Sequence, residues 1–542
     1  MELFSGKGVC GAIAIGRAAI IRHRKTEIIR QQISDTAQEL ERIAAAKAAA
    51  AEQLTALYEK TLAAVGEDEA QIFQMHQLML EDDDFCERIA DLICTEQVNA
   101  EYAVSAAGEE FADLFASMDD AYMQARAADV RDISNRLIAC LSGAETETVT
   151  DGEKRIIIAD DLAPSETVTL DKSCVLGFVT AFGSPNSHTA ILARNMNLPA
   201  VIGAGAAFQA AVKDGDLLIA DGHTGKLILH PDAETVQAYR AKQQADIRQA
   251  QLMQALKGKP NRTKSGREIR IFANIGGPDG VDAALANDAG GIGLFRSEFL
   301  YLGQDDYPTE EQQFTAYKTV LERMEGKQVI IRTLDIGADK QIGYFGLDKE
   351  ENPALGLRAI RICLTRPELF RTQLRALFRA SVYGQLGIMF PMITSVSEVE
   401  QCLAFCEQTK QELKRDGIPY SDSVELGIMI ETPASAIISD LLAPMVSFFS
   451  IGTNDLTQYT LACDRQNPAI GAFADPHHEA ILRLIEMTVR NAHAHRTWVG
   501  ICGELAADTA LTDTFLRMGV DELSVSAPYV LPLREAVRSS AV

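Results

Sequence analysis

Eight apolar runs punctuate the C-terminal half of the chain: IRIFANIG from Ile269, GIGLFRSE from Gly291, VIIRTLDIG from Val329, GIMFPMI from Gly387, LGIMIETP from Leu426, FFSIGTNDL from Phe448, WVGICGEL from Trp498 and ELSVS from Glu522. Helix-like stretches separate them. Eight such alternations argue for a (β/α)8 TIM barrel. A doubly wound sheet is the alternative, because periodicity does not show closure. Most of the runs finish on a polar or reactive side chain: Asn274, Arg296, Arg332, Glu431, Asn454 with Asp455, and Cys502. In a barrel such ends meet at one mouth, where chemistry is done. One polar end means little; six mark a site.

Upstream of this block, residues 232–260 read as a single polar helical connector (ETVQAYRAKQQADIRQAQLMQAL). Before it, RIIIAD, SCVLGFVTAF, AVIGAG, DLLIADG and KLILH are short β-type runs, with one helical stretch, HTAILARNM, among them. The first twenty residues are also strand-like (GVCGAIAIGRAAII). Between these two strand-rich parts the character changes. Ala, Glu, Gln and Leu dominate, and Leu40, Ile43, Leu54 and Leu57 fall near helical spacing. Ser34, Asp35 and Thr36 offer N-caps, and Glu39 three residues after Thr36 suggests a capping box. The expected organisation is an α/β domain from 1–30 plus 145–231, interrupted by an all-helical insert of four helices at 31–144. The connector 232–260 and a barrel at 261–542 follow.

The 542 residues suffice for several cores. Hydrophobic residues at 47% and charged residues at 23% are ordinary globular usage. With 51 Lys and Arg against 76 Asp and Glu, the net charge is −25. That field opposes nucleic-acid binding, and no basic patch breaks it. No run of apolar residues is long enough to span a membrane, so no membrane insertion is expected. The ten cysteines are scattered with no CxxC pair, as expected of reduced thiols in a cytoplasmic protein.

Arg296 and Arg332, with Arg358 and Arg465 beyond other strand ends, can focus positive charge at the mouth. Guanidinium forks match phosphate and carboxylate geometry. Glu431 and Asp455, read as lying on neighbouring strands, suit Mg²⁺ shared with a substrate phosphate. Ordinary ion pairs capping barrel strands explain any one of these residues but not the set. Cys502 alone is most simply a small buried hydrophobe; among arginines it is a candidate acid or nucleophile. In GSPNSHTAILARNMNLPAVIG, His188 opens a helix, where free N–H groups and the dipole favour an attached anion. A neutral imidazole there is a candidate nucleophile; a helix-terminal residue with no chemistry is the plain alternative.

SHTAILAR…LPAVIG, GIGLFRSEFLY, IRTLDIGADK, NPALGLRAIR, GIMIETP, SIGTNDLTQYTLACDR and GICGELAAD together resemble the successive motifs of the phosphoenolpyruvate-protein phosphotransferase family, Enzyme I of the sugar phosphotransferase system. The likeness runs from GAIAIGRA to ELSVS. IFQMHQLMLEDDDF and RAADVRDISNRL resemble the family's carrier-docking domain. The resemblance implies a swivelling phosphohistidine domain, a phosphoenolpyruvate-binding barrel, and phosphoryl transfer to a histidine of the small carrier HPr. By the same resemblance His188 is the phosphorylated histidine, with Thr167 bonding its ring. Arg296, Arg332, Arg465, Asn454 and Asp455 hold phosphoenolpyruvate, supported by Arg358. Glu431 and Asp455 ligate Mg²⁺, with Mn²⁺ an alternative, and Cys502 protonates the enolate. A cytoplasmic homodimer formed through the barrel is also implied. Two departures stand out. The loop before His188 reads Phe182-Gly183-Ser184-Pro185-Asn186-Ser187 where relatives commonly carry Gly-Gly-Arg-Thr-Ser, and the closing helix LREAVRSS is short. The rivals are a phosphoenolpyruvate synthase or dikinase, which needs an ATP-binding domain, and a non-catalytic phosphoenolpyruvate sensor, which needs neither His188 nor Cys502.

Overall fold

In a computed structural model the chain forms two compact units, Met1–Arg248 and Gln249–Val542. The structure describes all residues except 22–27, 65–66, 118–120, 144–152, 161, 163–169, 171–173, 184–188, 191–192, 194–197, 303, 305, 338–341 and 466.

The first unit holds an eight-stranded sheet of β1 (Glu2–Ser5), β2 (Lys7–Cys10), β3 (Ile13–Ile20), β4 (Arg155–Ala159), β5 (Val175–Thr180), β6 (Ala200–Ile202), β7 (Leu217–Asp221) and β8 (Lys226–Leu229). Its order is β1-β8-β7-β3-β4-β5-β6-β2. Strands from either side of the helical segment therefore share one sheet: β3 pairs in parallel with β4 and antiparallel with β7. The run of isoleucines in β4 follows from burial on both faces. Ile156 and Ile158 pack with Phe208, while Ile157 packs with Phe178 and Ala193.

Among the described residues five helices occupy the segment between β3 and β4 where four were expected: α1 (Thr36–Ala64), α2 (Glu67–Leu80), α3 (Asp83–Glu96), α4 (Ala100–Ala116) and α5 (Ala121–Ser142). One boundary falls at the acidic triplet in MLEDDDF. The Asp82 side chain accepts a hydrogen bond from the Phe85 N–H, and Asp83 and Asp84 fill the first turn of α3, where negative charge favours a new helix. At the start of α1 one of the three offered caps is used, but the Thr36–Glu39 capping box is not formed. Asp35 is the cap, accepting from the Gln38 N–H at 3.0 Å. Glu39 instead reaches Arg42 at 2.9 Å and the Ala100 N–H at 2.7 Å, tying α1 to α4. Phe85, Ile89, Leu92 and Ile93 recur at helical spacing and face the core with Phe73, Val104 and Leu137. A helix at Ala233–Gln254 follows the sheet.

The second unit contains a barrel of β9 (Arg270–Ile275), β10 (Ile292–Arg296), β11 (Gln328–Arg332), β12 (Gln385–Phe390), β13 (Glu425–Ile430), β14 (Phe448–Ile451), β15 (Trp498–Ile501) and β16 (Glu522–Ser526). Every run singled out in the sequence is one of these strands. β16 pairs in parallel with β9 from Glu522–Arg270 to Ser526–Asn274, which closes the ring and excludes the doubly wound sheet. Alternate residues point outward to the helices (Ile271, Ile331, Ile388, Ile430, Ile451, Ile501) or inward (Leu294, Ile330, Met389, Met429, Phe448, Cys502). At the strand starts Trp498 stacks on Phe448 with ring centroids 4.7 Å apart. The Arg270 guanidinium lies 4.7 Å from the Trp498 centroid. The short closing helix, Val530–Ser539, is pinned by Arg534. Its guanidinium donates to Asn261 Oδ1 at 2.7 Å, the Leu256 carbonyl at 2.9 Å and the Asp288 carbonyl at 2.7 Å. Among the described residues no helix is long and apolar enough to cross a membrane.

Gly427 on β13 lies opposite Phe448, and a Cβ added there would stand 2.4 Å from that fully buried ring. Gly427→Ala is therefore expected to destabilise the barrel unit by about 1–3 kcal/mol through overpacking. Denaturant unfolding checks this; an unchanged midpoint would show that the Phe448–Trp498 stack shifts freely.

Candidate active site at the barrel mouth

β11 ends on Arg332, a residue only 8% exposed. Its Nη2 donates to Glu298 Oε1 at 2.6 Å, and its Nη1 lies 2.8 Å from Asp335 Oδ2. The other Asp335 oxygen accepts from Arg358 Nη2 at 2.8 Å. Asp335 thus bridges two buried arginines. Burial opposes charge on Arg332, but Glu298, Asp335 and Glu431 more than offset it and hold the guanidinium charged. Arg358 is held in the same way against its burial by Asp335 and Asp455. The Nε atoms of both arginines have no hydrogen-bond partner, so donors remain.

Glu431, immediately after β13, is completely buried. Its Oε1 accepts from the Met392 N–H at 2.6 Å, from a residue held at φ 58°. Positive φ is costly for methionine, and the strained turn aims this N–H at the carboxyl. Glu431 Oε2 and Asp455 Oδ1 have no hydrogen-bond partner. Burial, then Asp455 and Asp335, pushes Glu431 up to about 8, against the opposing pull of Arg332 and the Met392 N–H. Asp455 is not on a strand, as the sequence reading had it. β14 stops at Ile451, and Asp455 lies in the first turn of the helix Thr453–Leu461, where the acid complements the dipole. Among the described residues no three or more His, Cys, Asp or Glu side chains gather as a complete metal cage.

Asn454 precedes Asp455, and its Oδ1 accepts from the Glu504 N–H at 3.1 Å. Arg465 Nη2 stands 3.7 Å from Asp455 Oδ1, and its backbone N–H donates to Gln458 Oε1 at 3.2 Å. Arg296 ends β10 as an exposed side chain. Cys502 follows β15 and is 3% exposed, with Sγ 3.7 Å from the Ile451 carbonyl. Burial pushes its thiol up to about 12, with Ser450 and Arg332 opposing and Glu522 and Glu431 adding. It is a thiol that keeps its proton.

The mouth therefore brings together Arg332, Arg358, Glu431, Asn454, Asp455, Arg465 and Cys502. His188 and Thr167 lie outside the described residues. The next residue, Thr189, is fully buried, and its Oγ1 accepts from the Leu162 N–H at 3.1 Å. Sequence reasoning missed Glu298 and Asp335, which hold the arginines. Both stand in the quoted motifs, two residues past Arg296 and three past Arg332, so the signal was present in GLFRSE and RTLDIG.

Three family models of the PEP-utilising enzymes match the chain: the N-terminal domain over residues 5–126, the mobile domain over 151–225 and the PEP-binding domain over 250–542. A phosphoenolpyruvate-protein phosphotransferase of Bacillus subtilis (strain 168) is 44% identical over 99% of this chain and 94% of its own length. The chain belongs to this family. Relatives of the same name from Geobacillus stearothermophilus, 44% identical over 99% of this chain and 93% of theirs, and Staphylococcus carnosus (strain TM300), 42% identical over 98% and 93%, are similar throughout.

Since only the thiolate alkylates, a thiol this strongly protonated reacts slowly. At pH 8 iodoacetamide should label the exposed Cys94 first and Cys502 more slowly by about 100-fold. Peptide mapping checks the order, and equal labelling would place Cys502 in an open setting.

Proposed function

We propose that the protein transfers the phosphoryl group of phosphoenolpyruvate to His188 and then to a histidine of the small phosphocarrier HPr, releasing pyruvate in the first step of phosphotransferase-system sugar uptake. The observation that carries this is the meeting of Arg332, Glu431, Asp455 and Cys502 at one end of a barrel in a chain of this family. Full-length similarity to relatives of that name favours it over the synthase and sensor readings.

Arg332 and Arg465, with Arg296, Asn454 and the Asp455 backbone, bind the phosphate and carboxylate of phosphoenolpyruvate, while Arg358 holds Asp335 in place. The imidazole of His188 attacks phosphorus, the bond from phosphorus to the enol oxygen breaks, and pyruvate enolate leaves. The Cys502 S–H then gives its proton to the enolate carbon, and a buried neutral thiol suits that role. Glu431 Oε2 and Asp455 Oδ1 fit a hard divalent cation, being acidic acceptors with no hydrogen bond to lose. Two such ligands leave room for substrate oxygens and water, and Mn²⁺ meets the same donors as Mg²⁺. When bound, the cation offsets phosphate charge in the transition state.

His188 belongs to the first unit and the arginines to the second. Transfer therefore needs a swivelling histidine domain, 1–30 plus 145–231, that visits the mouth and then the carrier, with 232–260 as connector. Docking of the carrier on the helical segment is supported by a cavity of about 250 Å³ lined by Met79, Phe85, Phe111, Leu114 and Phe115 with Asp82 and Asp84. Exposed Ile437, Leu441 and Phe473 support a homodimer formed through the barrel. We place the reaction in the cytoplasm, where phosphoenolpyruvate is made and thiols stay reduced.

Incubation with labelled phosphoenolpyruvate and Mg²⁺ should leave acid-labile, base-stable label on His188. Label retained in His188→Ala would move the phosphohistidine elsewhere. Arg332→Ala should cut turnover by about 10³-fold or more, as loss of a positioned cation does. Near-normal turnover at saturating phosphoenolpyruvate would return Arg332 to a structural ion pair.

A further inference from the structure

β16 opens on Glu522, a completely buried acid that the reaction above does not use. Its carboxyl lies inside the barrel, where two other strands make room for it. A Cβ added at Gly500 on β15 would fall 1.9 Å from its Oε2, and one at Gly293 on β10 would fall 2.5 Å from its Oε1. Neither oxygen has a hydrogen-bond partner. The plain explanation is an ion pair with Arg270 at the barrel floor. No hydrogen bond joins them, however, and the Arg270 guanidinium instead faces the Trp498 ring. A carboxylate so placed is costly, whereas a neutral carboxylic acid is acceptable.

Gly500 pairs with Glu522, and Cys502 is the next inward residue of the same strand. The space between is polar in an otherwise apolar interior. The Ser524 hydroxyl lies beside Glu522 and donates to Asn274 Oδ1 at 2.6 Å. Asn274 Nδ2 in turn donates to the Cys502 carbonyl at 2.9 Å. The buried Ser450 hydroxyl lies beside the Cys502 thiol with no fixed partner. Two proton-bearing groups and two hydroxyls thus share one column beneath the mouth.

We propose that Glu522 is the internal proton store that reloads Cys502 after each turnover. The inference rests on the assignment of Cys502 as the acid. Once the S–H proton has passed to the enolate carbon, a thiolate remains in a closed interior. The Glu522 O–H bond breaks and the S–H bond forms again through the Ser450 hydroxyl, which stands across Gly500 from Glu522 in register and takes one proton while passing on its own. Glu522 is left as a carboxylate facing Arg270, and solvent returns a proton after pyruvate departs. The direction is downhill, since burial pushes Glu522 up to about 8 against Arg270 and Ser524, while Cys502 is pushed up to about 12. The charged groups that face this pair are Arg270 on β9, Arg332 on β11 and Glu431 after β13. β10 and β14 contribute the uncharged Gly293 and Ser450.

The test is rapid-quench measurement of pyruvate from the full-length protein with phosphoenolpyruvate, Mg²⁺ and carrier. In Glu522→Gln the first turnover should match the parent, because the thiol starts loaded. Later turnovers should slow by about 100-fold at unchanged KM, with a larger solvent deuterium effect, and Glu522→Asp should recover part of the rate. Equal first and later turnovers in Glu522→Gln would overturn the proposal, as would loss of the first turnover. A full first turnover in Cys502→Ala would instead defeat the reading of Cys502 itself. Infrared difference spectra of the parent protein, which need no variant to fold, should show a protonated-carboxyl band bleaching during turnover. A band that persists, or none at all, overturns the store.

Discussion

A buried positive charge at the end of β11 organises the barrel mouth. Placing a guanidinium where only 8% of the residue meets solvent is unfavourable unless carboxylates surround it. Glu298 and Asp335 do so at 2.6 and 2.8 Å. Asp335 then needs a second cation and takes Arg358, whose charge in turn acts with Asp455. The alternating charges run from just after β10 through β11 to the helix after β14. A phosphate entering here meets donors already fixed, with little reorganisation left to do.

The strand runs and their polar ends were legible in the sequence because each obeys a local rule: apolar alternation, then a reactive residue where the strand stops. Barrel closure was not legible, since it depends on β16 meeting β9 across the whole unit. Asp455 was placed on a strand because FFSIGTNDL reads as one apolar run with a polar tail. The helix begins at Thr453, inside that tail. The helix count of four fell short because the ends within this segment rest on local caps such as Asp82 at the start of α3, which hydrophobic spacing does not show. Glu298 and Asp335 were passed over because a carboxylate near an arginine in sequence is usually an ordinary surface pair. Their importance comes from burial, which only the fold supplies. Glu522 gave no signal, as an acid opening a strand normally faces solvent.

Burial raises the acids of the mouth and those of the interior alike. At the mouth burial, and then repulsion from Asp455 and Asp335, pushes Glu431 up to about 8. In the proposed function a divalent cation would relieve that repulsion at two acceptors that stand without hydrogen bonds. Deeper in, no cation is called for, and burial simply keeps Cys502 and Glu522 in their protonated forms. Arg332 pulls the other way on the thiol, but burial outweighs it and the thiol keeps its proton. In the proposed reaction Cys502 therefore serves as an acid and not as a nucleophile, and that choice follows from its burial more than from any one neighbouring charge.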